Sequence, residues 1–331
     1  MVEPGAMALV RLAVRTDLAQ LLPGDKILVA CSGGADSVAL TLALLKEAPL
    51  LAIFVYAITI DHGLQTGSAS RAEETAKWLR EIGCDRVSAV KVEVGSLGGI
   101  EAAARDARYA ALEIEASKTE SVAIYLGHSM DDQAESVLLG LGRGSGPRSM
   151  AGMERVSGNY RRPLLGLRRR QLRAACIEAN APIWDDPHNE DERFTRVALR
   201  KLMPTLDATL GGGVVEALAR TADLLREDLS ALDSLTDQIV EVAGFADRFE
   251  VEVNDLIHLP TAVRTRVLRA MAFRAGVPTG SLSFNQLTRM DALITSWRGQ
   301  GGVALPGELT FTRKSGRLSF SSTRRVERGS R

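Results

Sequence analysis

A chain of 331 residues with 45% hydrophobic and 25% charged side chains has the material for a large core and about two domains. The formal net charge is zero, yet Arg and Lys outnumber Asp and Glu by six in residues 143–201 and by six again in residues 298–331, which suits two local polyanion surfaces or Arg-rich solvated faces. The three cysteines, Cys31, Cys84 and Cys176, form no C-x-x-C pair; this argues against a disulfide scaffold, a thiolate zinc site or an iron–sulfur cluster.

The N-terminal stretch carries Arg11, Arg15 and Asp17, lacks the apolar block of a signal peptide and reads as a first packing helix. The most apolar run, residues 50–60, is too short to span a membrane, so a cytoplasmic protein is expected. Strand-like runs at residues 26–30, 51–60, 87–94 and 122–127 alternate with helical patterns at 38–46, 69–82, 100–117 and 132–141. That alternation predicts an α/β fold, a parallel sheet with helices on both faces. In such sheets ligands sit at the carboxyl ends of the strands. Those ends carry Ser32-Gly33-Gly34, Asp61-His62-Gly63 and His128.

Arg143-Gly144-Ser145-Gly146-Pro147-Arg148 reads as a basic loop, and Arg161-Arg162-Pro163-Leu164-Leu165 precedes an Arg-rich helical stretch. Trp184-Asp185-Asp186-Pro187-His188-Asn189 reads as a turn. Gly211-Gly212-Gly213 suggests a boundary between domains at 1–212 and 213–331. Beyond it, Leu218, Ala222, Leu225, Leu229, Leu232, Ile239 and Ala243 form one helical stripe, a core or interdomain face. Helical stretches at 261–275 and 284–297 and a β-like region at 302–322 predict a smaller α+β domain.

The loop after the first strand carries the chemistry. A Gly-rich turn opening a helix offers backbone N–H groups and a positive dipole to a phosphate. Gly33 and Gly34 permit close approach; Ser32, Ala35 and Ser37 complete the cradle. Asp36 would repel phosphates unless a cation intervened, so it implies Mg²⁺. No Lys stands where one would serve a transferred γ-phosphate.

Ser-Gly-Gly-x-Asp-Ser at residues 32–37 resembles the PP-loop of the N-type ATP pyrophosphatases, which cut ATP between the α and β phosphates. Further motifs narrow the choice. Ile60-Asp61-His62-Gly63-Leu64, Glu101 to Tyr109, His128-Ser129-Met130-Asp131-Asp132-Gln133-Ala134-Glu135-Ser136, Leu141 to Gly146, Arg162-Pro163-Leu164-Leu165 and Asp186-Pro187-His188-Asn189 resemble, in order, the signatures of the tRNA(Ile)-lysidine synthetases. The chain departs from them at Gln65 and Val197, where Arg and Asn are usual, and its C-terminal third matches loosely, as a short member would.

The resemblance implies that ATP adenylates O2 of the wobble cytidine in an isoleucine tRNA with a CAU anticodon, and that the side-chain amine of free L-lysine then displaces AMP. It implies ATP at Ser32 to Ser37 with Asp61, His62 and His128, and Mg²⁺ at Asp36. Asp132 and Glu135 would hold the lysine ammonium and one would take its proton. Arg108 would steady the triphosphate or the reacting base. Arg196 and Arg200 would bind the lysine carboxylate or a tRNA phosphate. Arg143, Arg148, Arg162 and Arg169 would face the tRNA. Two rivals stand beside this reading: a tRNA thiolase, disfavoured by the missing C-x-x-C, and a nucleotide-binding module without catalysis. The sequence leaves a homodimer open.

Overall fold

The computed structural model describes residues 5–63, 67–93, 95, 100–144, 146–186, 195–242 and 250–322. The chain divides into two compact units, Met1–Leu225 and Arg226–Arg331. The first unit runs α1 (Ala6–Leu18), β1 (Lys26–Ala30), α2 (Ala35–Glu47), β2 (Phe54–Asp61), α3 (Ser68–Glu81), β3 (Arg86–Lys91), α4 (Ile100–Thr119) and β4 (Ala123–Tyr125). It continues through α5 (Met130–Arg143), α6 (Pro147–Met150), β5 (Val156–Ser157), β6 (Tyr160–Arg161), α7 (Arg169–Glu178) and α8 (Thr195–Thr209) into α9 (Val214–Val242), within which the division falls.

The sheet has the order β3-β2-β1-β4-β6-β5. Its members are parallel except β5, which pairs antiparallel with β6. Alternation along β1 explains why both faces are covered. Ile27 and Val29 join one buried cluster with residues of α1, α2, α3 and α7, whereas Leu28 joins the opposite one with Leu112 and Ala116 of α4. The second strand begins later than its apolar run suggests. Pro49 starts a 3-10 turn over Ala48–Leu51, and Ala52 then takes a left-handed φ of 54°, so pairing starts at Phe54. The short β5 and β6 carried too little pattern to be anticipated.

Two contacts set the geometry beneath the site. Tyr125 is fully buried at the end of β4, and its hydroxyl donates to Asp17 Oδ2 of α1 at 2.7 Å. Gly127 lies just beyond, where a Cβ would stand 3.0 Å from the backbone C and O of Asp36 and from Ser37 Cα. A glycine there lets the start of α2 approach the end of β4.

The second unit holds an antiparallel sheet of order β7-β10-β9-β8, from β7 (Glu250–Glu252), β8 (Val303–Leu305), β9 (Leu309–Lys314) and β10 (Arg317–Ser322). With it are α10 (Val253–Ile257), α11 (Thr261–Arg274) and α12 (Phe284–Thr295). Phe311, Leu268 and Met290 centre its own core. Arg264 is buried there, its Nε 2.6 Å from Asp291 Oδ1 and its Nη1 donating to Leu259 O at 2.7 Å. A parallel sheet clad in helices and a smaller α+β unit are the architecture that the sequence pattern predicts.

Tyr125→Phe leaves an Asp17 oxygen short of a donor and is expected to cost about 1–3 kcal/mol. Gly127→Ala forces backbone against backbone and is expected to cost about 1–3 kcal/mol. Urea midpoints that fall with an unchanged slope would bear both out; an unmoved midpoint for either would refute its account.

Candidate active site

The chain order reverses at β1. Its neighbour on one side is β2, and on the other β4, so the ends of β1 and β4 frame a crevice at a topological switch point. Two segments meet there. One is the loop Cys31 to Asp36 opening α2; the other is Leu126 to Glu135 opening α5.

The first segment is a preformed cradle. Ser37 Oγ accepts from Ser32 N–H at 3.1 Å and donates to Gly34 O at 2.9 Å, which folds the loop on itself. Gly33 takes φ +84°, with Thr75 Oγ1 3.1 Å from where a Cβ would stand. No side chain caps α2 at Gly34, so its first N–H groups are left to an anionic ligand. From outside, Trp184 N–H donates to Gly33 O at 3.0 Å, and Arg71 lies 5.1 Å from the Trp184 ring centre.

The second segment gathers carboxylates. Ser129 caps α5: its hydroxyl and N–H donate to Asp132 Oδ2 at 2.7 and 2.8 Å. Asp132 Oδ1 is left to face Arg169 Nη2 at 2.6 Å. The same guanidinium stands 3.4 Å from Glu135 Oε1 and, through Nε, 3.4 Å from Asp36 Oδ2. Arg200 of α8 adds a bond to Glu135 Oε1 at 3.1 Å. Asp131 turns the other way. It accepts the Arg169 N–H at 2.8 Å and pairs with Arg168 at 3.1 Å, and Arg168 also reaches Glu216 at the start of α9. Gln133 is structural, exchanging two hydrogen bonds with the Met153 backbone.

This crowding separates the carboxyl groups. Asp36 is pushed up to about 7 by burial and by the charge of Asp132, against Arg169. Glu135 is raised by burial and by Asp132, against Arg200 and Arg169. Asp132 goes the other way. Burial would raise it, but Arg169, His128 and the Ser129 hydrogen bonds outweigh that and hold it low. Burial would likewise lower Arg169, but Asp132, Asp36 and Glu135 hold it above its ordinary value.

A cationic half adjoins the acidic one. Arg105 and Arg108 of α4 lie 4.7 and 5.6 Å from the Tyr109 ring centre, and Tyr109 packs on Tyr160 at 5.0 Å. Arg108 is lowered by burial and by Arg105 and Arg196. Its Nε is buried without a hydrogen-bond partner, as are the Nδ1 atoms of His62 and His128. Burial lowers both histidines, and the positive charge of Arg108 adds to this. Buried nitrogens without hydrogen-bond partners beside several guanidiniums are suited to a phosphate or a polar ring.

The expected site residues thus fall into three groups. Asp36, Asp132, Glu135 and Arg200 meet in one cluster with Arg169. Arg108, His62 and His128 share the cationic half, and Arg196 acts electrostatically on Arg108. Asp61 spends its carboxylate on the following turn, accepting Gly63 N–H at 2.8 Å. Among the expected tRNA contacts, Arg143 and Arg148 are exposed. Arg162 is buried, donating to Glu154 O at 3.0 Å, and Arg169 lies inside the carboxylate cluster rather than on an open basic surface. Sequence reading missed the roles of Ser129, Asp131 and Arg168. The Ser-x-x-Asp spacing of Ser129 and Asp132 is a cap pattern that could have revealed the first. Ser145, Gln65, residues 187–189 and the basic tail from 323 lie outside the described residues.

Asp36 fits a metal role. Its Oδ1 is buried without a hydrogen-bond partner and points to a missing cation or donor. Among the described residues no three His, Cys, Asp or Glu side chains are placed to hold a metal by themselves. Mg²⁺ characteristically takes one or two carboxylates and completes its shell with water and phosphate oxygens.

A family model described as the PP-loop domain matches residues 11–206, and one for the TilS substrate binding domain matches residues 252–319. The chain is 53% identical to the tRNA(Ile)-lysidine synthase of Streptomyces coelicolor over 88% of this chain and 84% of that one. It is 47% identical to the enzyme of that name from Thermobifida fusca, covering 96% and 98%, and 45% identical to that from Rhodococcus erythropolis, covering 98% and 99%. Among solved structures, the U34-tRNA thiolase NcsA from Methanococcus maripaludis superposes with a TM-score of 0.56 over 67% of this chain and 80% of that one. At 16% identity that likeness speaks to the fold alone. With the PP-loop cradle, the carboxylate cluster and these relatives agreeing, the chain belongs to the tRNA(Ile)-lysidine synthase family.

Proposed function

We propose that this chain ligates L-lysine to C2 of the wobble cytidine of the CAU-anticodon isoleucine tRNA, so that the codon read changes from AUG to AUA. The observation that carries the residue assignments is the acidic cluster of Asp36, Asp132 and Glu135, with the buried Arg108 Nε and His128 Nδ1 left without hydrogen-bond partners near it. ATP needs a cradle for its phosphates, and an incoming amine needs carboxylates. The crevice offers both within one span of side chains.

In the first step O2 of cytidine attacks the α-phosphorus of ATP; a P–O bond forms and pyrophosphate leaves. The N–H groups opening α2 and the hydroxyl of Ser32 would receive the phosphates, while Ser37, whose hydroxyl donates to Gly34 O, holds the loop in shape. Asp36 would hold Mg²⁺, which neutralises phosphate charge when bound. Arg108 and His128 face the polyanion or the base from the other side. In the second step the lysine amine attacks C2; the C2–O2 bond breaks and AMP carries O2 away.

The amine must first lose a proton, since lysine's ordinary pKa is about 10.4. Asp132, held low, is the anchor that stays ionised. Glu135, held high, is the acceptor. In this reading Arg196 and Arg200 on α8 would bind the amino acid's carboxylate, and the exposed Arg143 and Arg148 would meet tRNA phosphates. The C-terminal region from 213 belongs to tRNA recognition in this reading. A cytoplasmic location belongs to it as well; no helix among the described residues is long and apolar enough to cross a membrane.

Purified protein with ATP, Mg²⁺, labelled L-lysine and the isoleucine tRNA transcript should incorporate lysine into RNA. Asp36→Ala should abolish incorporation, and Glu135→Ala should lower it by about 10²–10⁴-fold. Release of AMP on some other substrate with no lysine in the RNA would sink the reading.

His128 yields a stability prediction. Its folded pKa lies below the ordinary 6.5, so the unfolded chain takes up a proton that folded His128 refuses. The His128 contribution to stability should therefore rise with pH through this window and fall as pH drops below about 6.5, while Asp36 and Glu135, both held high, contribute with the opposite sign. His128→Gln should make the thermal midpoint at roughly pH 7.5 less favourable relative to that at roughly pH 5.5 than in wild type, leaving the shares due to His62, Asp36 and Glu135. An unchanged difference would refute it.

A further inference from the structure

Arg169 touches two parts of the site at once. Its Nε faces Asp36 Oδ2 at 3.4 Å, on the nucleotide side; its Nη2 faces Asp132 Oδ1 at 2.6 Å and Glu135 Oε1 at 3.4 Å, on the amine side. Its backbone is fixed independently, because Asp131 Oδ2 accepts the Arg169 N–H at 2.8 Å and so anchors the first turn of α7. The side chain can therefore change partners without unseating the helix.

Without ligands, this guanidinium is the cation that lets three half-buried or buried carboxylates stand together. It also occupies Asp132 Oδ1 and Glu135 Oε1, two of the oxygens open to an incoming ammonium. Asp132 has no spare oxygen, because Oδ2 is committed to the Ser129 cap. A lysine ammonium drawn to Asp132 therefore competes with Arg169 for Oδ1. Leaving for water would forfeit a charge-assisted pair, whereas a guanidinium moved to phosphate keeps an equivalent one.

We propose that Arg169 is a positioning residue that couples the two subsites: it occupies the amine position until nucleotide binds beside Asp36, then turns to the phosphate oxygens and opens Asp132 and Glu135 to lysine. This rests on the reading of those two carboxylates as the amine subsite. The coupling orders the reaction, since lysine is held firmly only in a site already carrying nucleotide. By linkage the effect is reciprocal, and lysine tightens nucleotide binding by the same factor.

The test is calorimetric titration of L-lysine into the full chain, with and without a non-hydrolysable ATP analogue plus Mg²⁺. Wild-type protein should bind lysine about tenfold tighter with the analogue present. Arg169→Met should bind lysine without nucleotide more tightly than wild type does, and its dependence on the analogue should shrink to less than about threefold. Arg169→Lys, which keeps a cation, should retain part of the dependence. A clamp with a merely structural role would weaken lysine binding in Arg169→Met under both conditions and leave the ratio unchanged; that result overturns the proposal. Equal wild-type affinity with and without the analogue overturns it too, and needs no variant to fold. Either failure leaves the lysine-ligase reading intact if incorporation into tRNA is observed. Absence of both lysine binding and incorporation in wild type removes that reading and this proposal together.

Discussion

The first unit is organised around one electrostatic constraint: Asp36, Asp132 and Glu135 share a crevice that excludes much of the water which would otherwise separate their charges. Like charges this close in a poorly solvated site cannot all ionise unless cations lie between them. Arg169 supplies that cation in the centre and Arg200 at the edge. Much of the surrounding structure serves to hold these partners still. Ser129 caps α5 and orients Asp132; Asp131 caps α7 and fixes the backbone of Arg169. Asp131 also takes Arg168, and through it Glu216, so the neighbouring pair Asp131 and Asp132 divides between scaffold and site.

The fold delivers these groups by topology. Because β2 and β4 leave β1 in opposite directions, the loops after β1 and β4 splay apart and the crevice opens between them. Gly127 allows the start of α2 to come against the end of β4, which sets Asp36 beside Asp132 although 96 residues separate them in sequence. The Asp17–Tyr125 hydrogen bond ties the same strand end to α1 below. A site formed from two helix starts, each anchored by backbone and buried side chains, is stiffer than one on free loops.

Much of this was legible in the sequence, for identifiable reasons. The strands Lys26–Ala30 and Phe54–Asp61 are buried on both faces, so their apolar runs are nearly continuous and announce a parallel sheet. Asp36 stood out because a carboxylate in a phosphate loop needs a reason. The fate of Arg169 was illegible. In a run of three arginines, Arg168-Arg169-Arg170, spacing cannot tell which faces the core, and a basic cluster is most simply read as an RNA surface. Arg162 was misplaced for the same reason, since it is buried against the Glu154 carbonyl. Charge counting gives net potential along the chain. It does not say which cations are consumed by carboxylates brought from elsewhere by the fold.

The opposite displacements of Asp132 and Glu135 bear on how a cationic substrate becomes a nucleophile. A site of two strongly acidic carboxylates would bind the ammonium tightly and stabilise it against deprotonation. A site of two protonated carboxyls would neither attract nor deprotonate it. The split avoids both traps. Asp132 is held low by Arg169, His128 and its cap, and would supply the attraction. Glu135 is kept high by burial and by Asp132 itself, and would supply the basicity. Each carboxylate is tuned in part by the other, so the pair works as a unit. Departure of Arg169 on nucleotide binding would remove a cation that depresses both carboxylates, and the ammonium arriving at Asp132 Oδ1 would then take over the part of keeping Asp132 ionised, so the split between anchor and acceptor depends on a cation always facing Asp132.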